Sequence, residues 1–290
     1  MPTPILLFLD WDSTLTTTST IPILLSLSPK SPSRSPADLS ILYASSLAAH
    51  VSSYTPRANS RTTLVEEITY LNSLRDVERA SIERCEEAGV WMGVTPQIIE
   101  DVAEKAVRER SVVLREGTGR VIEEVMKRGG RVVVLSVGWS GRFIRGCLRA
   151  TVGMEAEGVE IRANEIEEDG KLSRYFGAEE GGIWTCGDKA RLLDEVGGRT
   201  KEVRTVYVGD SVTDLECLTC VDIGVCMTGK VEGREQKELC ETLQRLRIKC
   251  TWILERKASE KGSGVAKDDV CLWWAKDFHE ICEGLFLDGR

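Results

Sequence analysis

Short apolar runs alternate with amphipathic segments along most of this chain. The apolar runs, each bounded by polar residues or glycine, are ILLFL at 5–9, RVVVLSVG at 131–138, RTVYVGDS at 204–211 and DIGVCM at 222–227. Such runs are typical of strands buried on both faces of a parallel sheet. The segments with apolar residues at helical spacing between them are 117–130, 139–153, 188–198 and 212–222. The alternation predicts an α/β fold with a parallel sheet covered by helices on both faces.

Three regions depart from this alternation. Residues 26–60 are rich in serine and proline, which favours a loop or a weakly ordered segment with a short helix over 41–50. Residues 61–110 predict two or three amphipathic helices, one of them capped by Thr95 with Pro96 at its first position. Residues 255–270 predict a polar loop, and CLWWAKDFHEICEGLFL at 271–287 predicts a final docked helix that contains Trp273 and Trp274.

The helical region interrupts the alternating pattern and so divides the chain. Residues 1–14 and 116–290 are predicted to form a Rossmann-like parallel core, and residues 15–115, here called the insert, a helical domain inserted after the first strand. Ligands of open α/β sheets bind at the carboxyl ends of the strands. The residues at those ends are therefore the candidates for chemistry.

Composition and charge limit the classes of partner. The net charge of −8 and the pI of about 5.2 argue against binding to nucleic acid or to a membrane surface, which requires a basic face. The ten cysteines are scattered, and with only His50 and His279 in the chain a zinc site is not expected. We interpret the cysteines as reduced thiols. Without a basic segment before the first apolar run, the sequence predicts a cytoplasmic protein.

Polar residues follow several predicted strands and begin one helix. Each of them alone is most simply a helix cap, a turn residue or a solvated charge. Together they would meet at one edge of the sheet, which indicates a functional site. The candidates are Asp10, Asp12 and Thr14 after the first strand, Ser136 after the second, Lys189 in the helix that opens near Asp188, and Asp210 and Asp214 after RTVYVGDS.

These residue types suit the hydrolysis of a phosphate ester. Asp10 can attack phosphorus, while Asp12 can protonate the leaving oxygen and later activate water. Asp10 and Asp210 can hold Mg²⁺ in a shell of oxygen ligands, which relieves the repulsion between the carboxylates. Lys189 supplies a fixed positive charge, and the hydroxyl of Ser136 with nearby backbone N–H groups can bind the phosphate.

The same residues resemble the four motifs of the haloacid dehalogenase-like phosphatases. The matching positions, in the same order, are Asp10-x-Asp12-x-Thr14, Ser136, Lys189 and Gly209-Asp210-Ser211-x-x-Asp214. The resemblance implies that Asp10 is the nucleophile and Asp12 the general acid and base. It also implies Mg²⁺ on Asp10, Asp210 and the carbonyl of Asp12, with Asp214 supporting the metal shell. The place of the insert resembles the cap of the phosphoserine-phosphatase-like branch, which covers the site and helps to select the leaving group.

The second half of the chain is also similar to the phosphatase domain that plants fuse to a thiamin-salvage domain. This likeness rests on 135–150, 159–172 and 205–225 and does not extend to the insert. It implies that the substrate is a small phosphorylated metabolite, with thiamin monophosphate as a candidate. Two alternatives stay open, namely a non-catalytic regulatory or binding protein of this fold, and a phosphotransferase with the same aspartyl-phosphate chemistry. Trp139 either stacks on the leaving group or fills the core, and the sequence does not determine the oligomeric state.

Overall fold

A seven-stranded parallel sheet forms the centre of the structure, a computed structural model that describes residues 4–173, 182–197, 203–229, 233–256 and 270–286. The strands are β1 (Ile5–Leu9), β2 (Arg131–Leu135), β3 (Val159–Arg162), β4 (Glu165–Ile166), β5 (Leu172–Ser173), β6 (Arg204–Gly209), β7 (Ile223–Met227), β8 (Lys249–Trp252) and β9 (Cys271–Ala275). The order in the sheet is β3-β2-β1-β6-β7-β9-β8, and β4 and β5 form a separate antiparallel pair. The predicted α/β fold with a parallel sheet is confirmed.

Helices precede, connect and flank these strands. In chain order they are α1 (Ile21–Leu24), α2 (Pro36–Ser53), α3 (Leu64–Ser73), α4 (Arg75–Glu87), α5 (Pro96–Arg108), α6 (Thr118–Lys127), α7 (Gly141–Val152), α8 (Cys186–Glu195), α9 (Leu215–Cys220), α10 (Arg234–Arg245) and α11 (Phe278–Phe286). Helices α1 to α5 all lie between β1 and β2 in the chain. The side chain of Thr95 accepts a hydrogen bond from the Ile98 N–H, so the predicted cap of α5 is present.

The short helix predicted over 41–50 is present, but it extends further in both directions than predicted, so the loop or weakly ordered segment expected at 26–60 is shorter. An 18-residue helix, α2, covers Pro36–Ser53. Its start carries a capping box in which the Ser35 hydroxyl accepts from the Asp38 N–H and the Asp38 carboxylate accepts from the Ser35 N–H. Pro36 at the first helical position fits the same signal. The serine and proline content therefore marks the start of a helix as well as a loop.

The prediction of one helix over the tail 271–287 is also wrong. Residues 271–275 form β9, which pairs in parallel with both β7 and β8, so Trp273 and Trp274 lie in a strand. The helix α11 begins only at Phe278. The side chain of Asp277, just before it, accepts hydrogen bonds from the N–H groups of His279 and Glu280. Five apolar residues are too few for a helical period to be distinguished from a strand. Most of the loop predicted at 255–270 lies outside the described residues.

The order of the strands determines where a ligand can bind. From β1 the chain builds outward through β2 and β3, and then returns to place β6 on the other side of β1. The direction of strand order therefore reverses between β1 and β6, and such a switch point opens a crevice at the carboxyl ends of the strands. Leu7, Phe8 and Leu9 of β1 are fully buried, which fixes this part of the sheet in the core.

Two further findings concern the whole of the described chain. The ten cysteines are free thiols in the structure. Within the described ranges, no helix combines the length and the apolar character needed to cross a lipid bilayer.

Candidate active site

Asp10 and Asp210 lie side by side because of the pairing between β1 and β6. Leu9 is opposite Val208, and the Asp10 N–H continues the ladder by donating to the Val208 carbonyl at 2.9 Å. Both aspartates leave their strands at the same edge, and both are buried. Two adjacent parallel strands thus deliver two carboxylates to the switch point of the sheet.

Lys189 joins the carboxylates from the first turns of α8. Its Nζ donates to Asp10 Oδ1 at 2.5 Å and to Asp214 Oδ1 at 2.7 Å, and the side chain is 0% exposed. Burial alone would lower the pKa of Lys189, but the charges of Asp10 and Asp214 raise it well above its ordinary value. The ammonium group therefore stays charged inside the protein.

Asp214 has both carboxylate oxygens engaged by the protein. Oδ1 accepts from Lys189 and from the Tyr207 hydroxyl at 2.7 Å, and Oδ2 accepts from the N–H groups of Asp210 and Ser211 at 3.1 Å each. This approach requires glycine at position 209, because a Cβ there would lie 2.4 Å from Cγ of Asp214. Asp214 therefore positions both the lysine and the backbone after β6.

Asp12 is held by a threonine from the start of the insert. Its Oδ1 accepts from the Thr20 hydroxyl at 2.8 Å and from the Thr20 N–H, and the Thr20 hydroxyl oxygen accepts from the Trp11 indole at 3.2 Å. Burial raises the pKa of Asp12, whereas the hydrogen bonds from Thr20 lower it, and the net shift is upward. The carboxyl group of Asp12 is thus oriented and easier to protonate than one in water.

The loop after β1 is fixed by a residue that lies far away in the sequence. Arg115, where the chain returns from the insert, donates to the Ser13 carbonyl at 2.6 Å and to the Thr14 carbonyl at 3.0 Å. The Thr14 hydroxyl in turn donates to Asp210 Oδ1 at 3.0 Å. Ser13 has a φ of +58°, in the left-handed region, so these contacts hold a strained turn.

Ser136 and Trp139 follow the end of β2. Ser136 is buried, and its Oγ accepts from the Gly138 N–H at 2.9 Å. A Cβ at Gly138 would lie 2.9 Å from Ser136 Oγ and 3.9 Å from Asp12 Oδ2, so Ser136 and Asp12 face the same narrow space. Trp139 is partly exposed and meets the buried Trp91 edge to face, with ring centroids 5.3 Å apart.

The insert contacts the helix of Lys189 directly. Arg75 of α4 pairs with Asp188 Oδ1 at 2.7 Å, and Asp188 Oδ2 accepts from the N–H groups of Trp184 and Thr185 at the start of α8. Asn72 of α3 accepts from the Gly187 N–H at 2.9 Å. The first turn of α8 therefore lies between the insert and the carboxylates.

Three carboxylates and one ammonium group leave this site with an excess of negative charge. Oxygens of Asp10, Asp210 and Asp214 all lie within 4.8 Å of one another. Burial and then the charges of Asp10 and Asp214 raise the pKa of Asp210, and burial raises that of Asp10 despite the opposing effect of Lys189. Oδ2 of Asp210 is buried without a hydrogen-bond partner among the described residues. Such a set of oxygens can accept a cation.

The structure brings Asp10, Lys189, Asp210 and Asp214 into one hydrogen-bonded group and places Asp12 and Ser136 beside it. Sequence reasoning missed Thr20, Tyr207 and Arg115. Tyr207 carried a weak signal, because it is the one residue with a hydroxyl among the apolar residues of β6 at 206–208. Thr20 and Arg115 carried none, since their partners are set by how the chain turns back on itself.

Comparisons with known proteins place these residues in context. A family model described as haloacid dehalogenase-like hydrolase matches residues 7–219 of the chain. The bifunctional TH2 protein, mitochondrial, of Arabidopsis thaliana is 31% identical over 167 residues, which are 54% of this chain and 25% of that protein. A CTO1 family protein of Schizosaccharomyces pombe is 25% identical over 178 residues, which are 57% of this chain and 63% of that protein. The matches thus span less than two thirds of either relative.

The chain is also similar to solved structures. Cytosolic 5′-nucleotidase IIIB bound to cytidine has a TM-score of 0.50 at 16% identity, with 83% of this chain and 77% of that chain covered. A phospho-aspartyl intermediate analogue of phosphoserine phosphatase has a TM-score of 0.48 at 15% identity, with 98% and 99% covered. At such low identity the nucleotidase shows a similarity of fold alone.

Proposed function

Because the chain belongs to the haloacid dehalogenase-like hydrolases, we propose that it is a Mg²⁺-dependent phosphatase of a small phosphorylated metabolite. The observation that carries this proposal is the contact of Lys189 with both Asp10 and Asp214 beside Asp210, at the carboxyl edge of the sheet. A nucleophile, a fixed cation and a set of oxygen ligands thereby meet at one point, as phosphoryl transfer from an ester requires.

The donor set fits a magnesium ion. It consists of oxygens alone, it is buried, and Oδ2 of Asp210 has no other partner among the described residues. Asp10 and Asp210, together with the Asp12 carbonyl, are the residues proposed to hold the ion. Asp214 is less suited to direct ligation, because its two oxygens already accept from Lys189, Tyr207 and backbone N–H groups. When bound, the ion would offset the carboxylate charges and the charge that develops on the phosphoryl group.

The proposed reaction has two steps on Asp10. First, a carboxylate oxygen of Asp10 attacks phosphorus, the bond to the ester oxygen breaks, and Asp12 gives its proton to the leaving alkoxide. Second, Asp12 removes a proton from water, the hydroxide attacks the phosphorus of the aspartyl-phosphate, and inorganic phosphate leaves as the Asp10 carboxylate is restored. The raised pKa of Asp12 suits the first step, and its hydrogen bonds from Thr20 hold it in place for both.

Lys189 and Ser136 are proposed to bind the phosphoryl group. Lys189 already holds Asp10 Oδ1, so its charge lies next to the place where phosphorus would be attacked. The Ser136 hydroxyl and the N–H groups that follow β2 face the same space as Asp12. These groups would contact the part of the substrate that every phosphate ester shares.

The leaving group is proposed to be cationic and aromatic, with thiamin monophosphate as the first candidate. This follows the resemblance of the second half of the sequence, and the surroundings of the site support it. Glu235, at the start of α10, adds to the charges that raise the pKa of Asp210, after burial, Asp10 and Asp214. Burial and then the charges of Asp12 and Asp214 raise the pKa of Glu235, which supports its place near the site. Such a carboxylate would favour a cation.

The insert, residues 15–115, is proposed to act as the cap that selects this leaving group. Its contacts support the proposal, because Arg75 and Asn72 reach the first turn of α8 just before Lys189. Asp12 is likewise held by Thr20 of the insert. A cap in this place can exclude water and bind the part of the substrate away from phosphorus.

A hydrolysis assay tests the proposal. The wild-type protein should release p-nitrophenol from p-nitrophenyl phosphate with Mg²⁺ and lose this activity in EDTA. A panel of thiamin monophosphate, sugar phosphates and phosphoserine should then single out thiamin monophosphate by kcat/KM. Absence of turnover with Mg²⁺ on every substrate would overturn the phosphatase proposal. Transfer to an added alcohol with little free phosphate would instead indicate a phosphotransferase.

A further inference from the structure

A buried asparagine joins two segments that carry proposed phosphate-binding residues. Asn164 follows β3, and its side chain is 0% exposed. Its Nδ2 lies 3.2 Å from the Val137 carbonyl oxygen and 3.3 Å from that of Gly138. The same side chain meets Ile183 twice, with Nδ2 donating to the Ile183 carbonyl at 3.1 Å and Oδ1 accepting from the Ile183 N–H at 2.8 Å.

These contacts lie close in sequence to the two proposed phosphate-binding residues, Ser136 and Lys189. Val137 and Gly138 come directly after Ser136, and the Gly138 N–H donates to Ser136 Oγ. Ile183 leads into the start of α8, whose Lys189 contacts Asp10. One side chain therefore spans the gap between the loop after β2 and the helix of the lysine.

We propose that Asn164 is a positioning residue that sets the distance between the Ser136 loop and the helix of Lys189. The inference rests on the proposed function, in which Ser136 and Lys189 bind the same phosphoryl group. A phosphate bound by both needs them at one fixed separation, and small misplacements of such groups slow a reaction strongly.

The chemistry of the amide explains why asparagine suits this position. The amide carries hydrogen-bond donors on Nδ2 and an acceptor, Oδ1, in one plane. The hydrogen bond from the Ile183 N–H to Oδ1 determines the orientation of the amide. An aspartate would present an oxygen to the carbonyls of Val137, Gly138 and Ile183 in place of a donor. An alanine would leave four buried backbone groups without this partner, which is also unfavourable.

The next residue holds the far end of the same loop. The Glu165 carboxylate accepts from the Ser140 hydroxyl at 2.6 Å and from the Arg142 N–H at 2.9 Å, at the start of α7. Asn164 and Glu165 thus hold the loop between β2 and α7 at both ends, but only Asn164 also contacts the segment before α8. Substitution of Asn164 should therefore increase the mobility of the loop after β2 and of the segment before α8 together.

The test combines amide hydrogen exchange with kinetics in Asn164→Asp and Asn164→Ala. The matched control is Asp222→Ala. This substitution removes a side chain that accepts hydrogen bonds from the Thr205 N–H and hydroxyl at the amino ends of β6 and β7, away from the site. In the Asn164 variants, exchange should rise in both 136–142 and 183–189. The kcat for p-nitrophenyl phosphate should fall by about a hundredfold, whereas the control should show neither effect.

The outcomes separate the inference from the proposed function. If wild-type protein is inactive, the proposed function fails, and exchange alone still decides whether Asn164 couples the two segments. If exchange rises in neither segment or in one of them only, the inference is overturned. It is equally overturned if a folded Asn164 variant keeps wild-type kcat, or if Asp222→Ala loses as much activity. Asn164→Ala keeps the test available if the buried charge of Asn164→Asp prevents folding.

Discussion

Two buried ion clusters in this protein have opposite charge balance. In the first, here called the active site cluster after the candidate site, the ammonium group of Lys189 contacts the carboxylates of Asp10 and Asp214, and the carboxylate of Asp210 lies close to both. In the second, here called the anchor cluster, the guanidinium groups of Arg61 and Arg245 share the carboxylate of Glu67, with distances of 2.7 and 2.9 Å.

The two clusters differ in how far other groups of the protein compensate the excess charge. In the anchor cluster, the Arg61 guanidinium lies 3.7 Å from the centre of the Tyr70 ring and also donates to the Pro56 carbonyl. Its excess positive charge is thus spread over groups of the protein. In the active site cluster, Asp210 Oδ2 is left without a partner in the described residues. The groups of the anchor cluster thus compensate one another within the protein, whereas the unpartnered oxygen of Asp210 is where we propose that a cation binds.

The sharpest test of this comparison is Asp10→Asn. The amide keeps the volume and removes one of the repelling carboxylates, so the variant should stay folded. It should nevertheless lose at least about a thousandfold in kcat, because an amide cannot form the covalent intermediate. The measurement is release of p-nitrophenol, with circular dichroism as the check of folding. Turnover near that of the wild type would remove Asp10 from the role of nucleophile.

Glu67→Gln tests the anchor cluster. Removal of the carboxylate leaves two guanidinium groups with little compensation, and breaking a buried pair in this way costs about 3–5 kcal/mol of unfolding free energy. Since Glu67 contacts α10 through Arg245 and not the carboxylates of the site, kcat for p-nitrophenyl phosphate should change little. Urea denaturation measures the first effect and steady-state kinetics the second.

The control for Glu67 lies on the neighbouring helix of the insert. Glu83 pairs with Arg79 at 3.7 Å on an exposed face, so Glu83→Gln should cost less than about 1 kcal/mol. An equal loss of stability in both variants would mean that burial of the Glu67 pair has no special effect. A large fall in kcat for Glu67→Gln would show that the anchor also positions the site.

The sequence revealed these two clusters to very different extents. Asp10, Lys189 and Asp210 could be named in advance because each lies at the end of a strand or the start of a helix, where local pattern is informative. The family predicted from those motifs is confirmed by the match over residues 7–219. Glu67 and Arg245 lie 178 residues apart and on helix faces, so no local pattern connects them.

The errors have a similar origin. A helix is predicted for the run CLWWA because five apolar residues have no measurable period, whereas the pairing of this run with β7 and β8 is decided by tertiary contacts. Thr20 reaches Asp12 only because the chain turns back within eight residues. Local sequence signals thus predict which residues can take part in chemistry, whereas the contacts that orient those residues depend on the folded chain.

Thermal unfolding with Mg²⁺ sharpens the comparison further. A ligand that binds only the folded state stabilises it by about 2.7 kcal/mol at a hundred times its Kd. Mg²⁺ should therefore raise the Tm of the wild type by several degrees. The shift should vanish in Asp210→Asn, which lacks the carboxylate with the unpaired oxygen, and persist in Glu67→Gln. An equal shift in Asp210→Asn would place the cation elsewhere.

The smallest expected effect concerns Trp139, where the core meets the insert. The rings of Trp139 and the fully buried Trp91 meet edge to face, but Trp139 stays partly exposed. Trp139 can therefore pack against Trp91 and still offer a ring face to a ligand. A stacked aromatic pair contributes about 0.5–1.5 kcal/mol, and a cation over an indole ring adds to this. Trp139→Leu should therefore lower kcat/KM for thiamin monophosphate up to about tenfold relative to acetyl phosphate, which has no ring.

The ratio of the two kcat/KM values decides between the two interpretations of Trp139. A substitution that only loosens the packing against Trp91 would slow both substrates alike, because both share the phosphoryl group held by Lys189 and Ser136. Trp91→Phe is the matched control, since it disturbs the same contact from the buried side and loses the hydrogen bond to the Leu24 carbonyl. If Trp139→Leu and Trp91→Phe leave the ratio unchanged, Trp139 belongs to the core. Selection of the leaving group would then have to come from a polar residue such as Glu235.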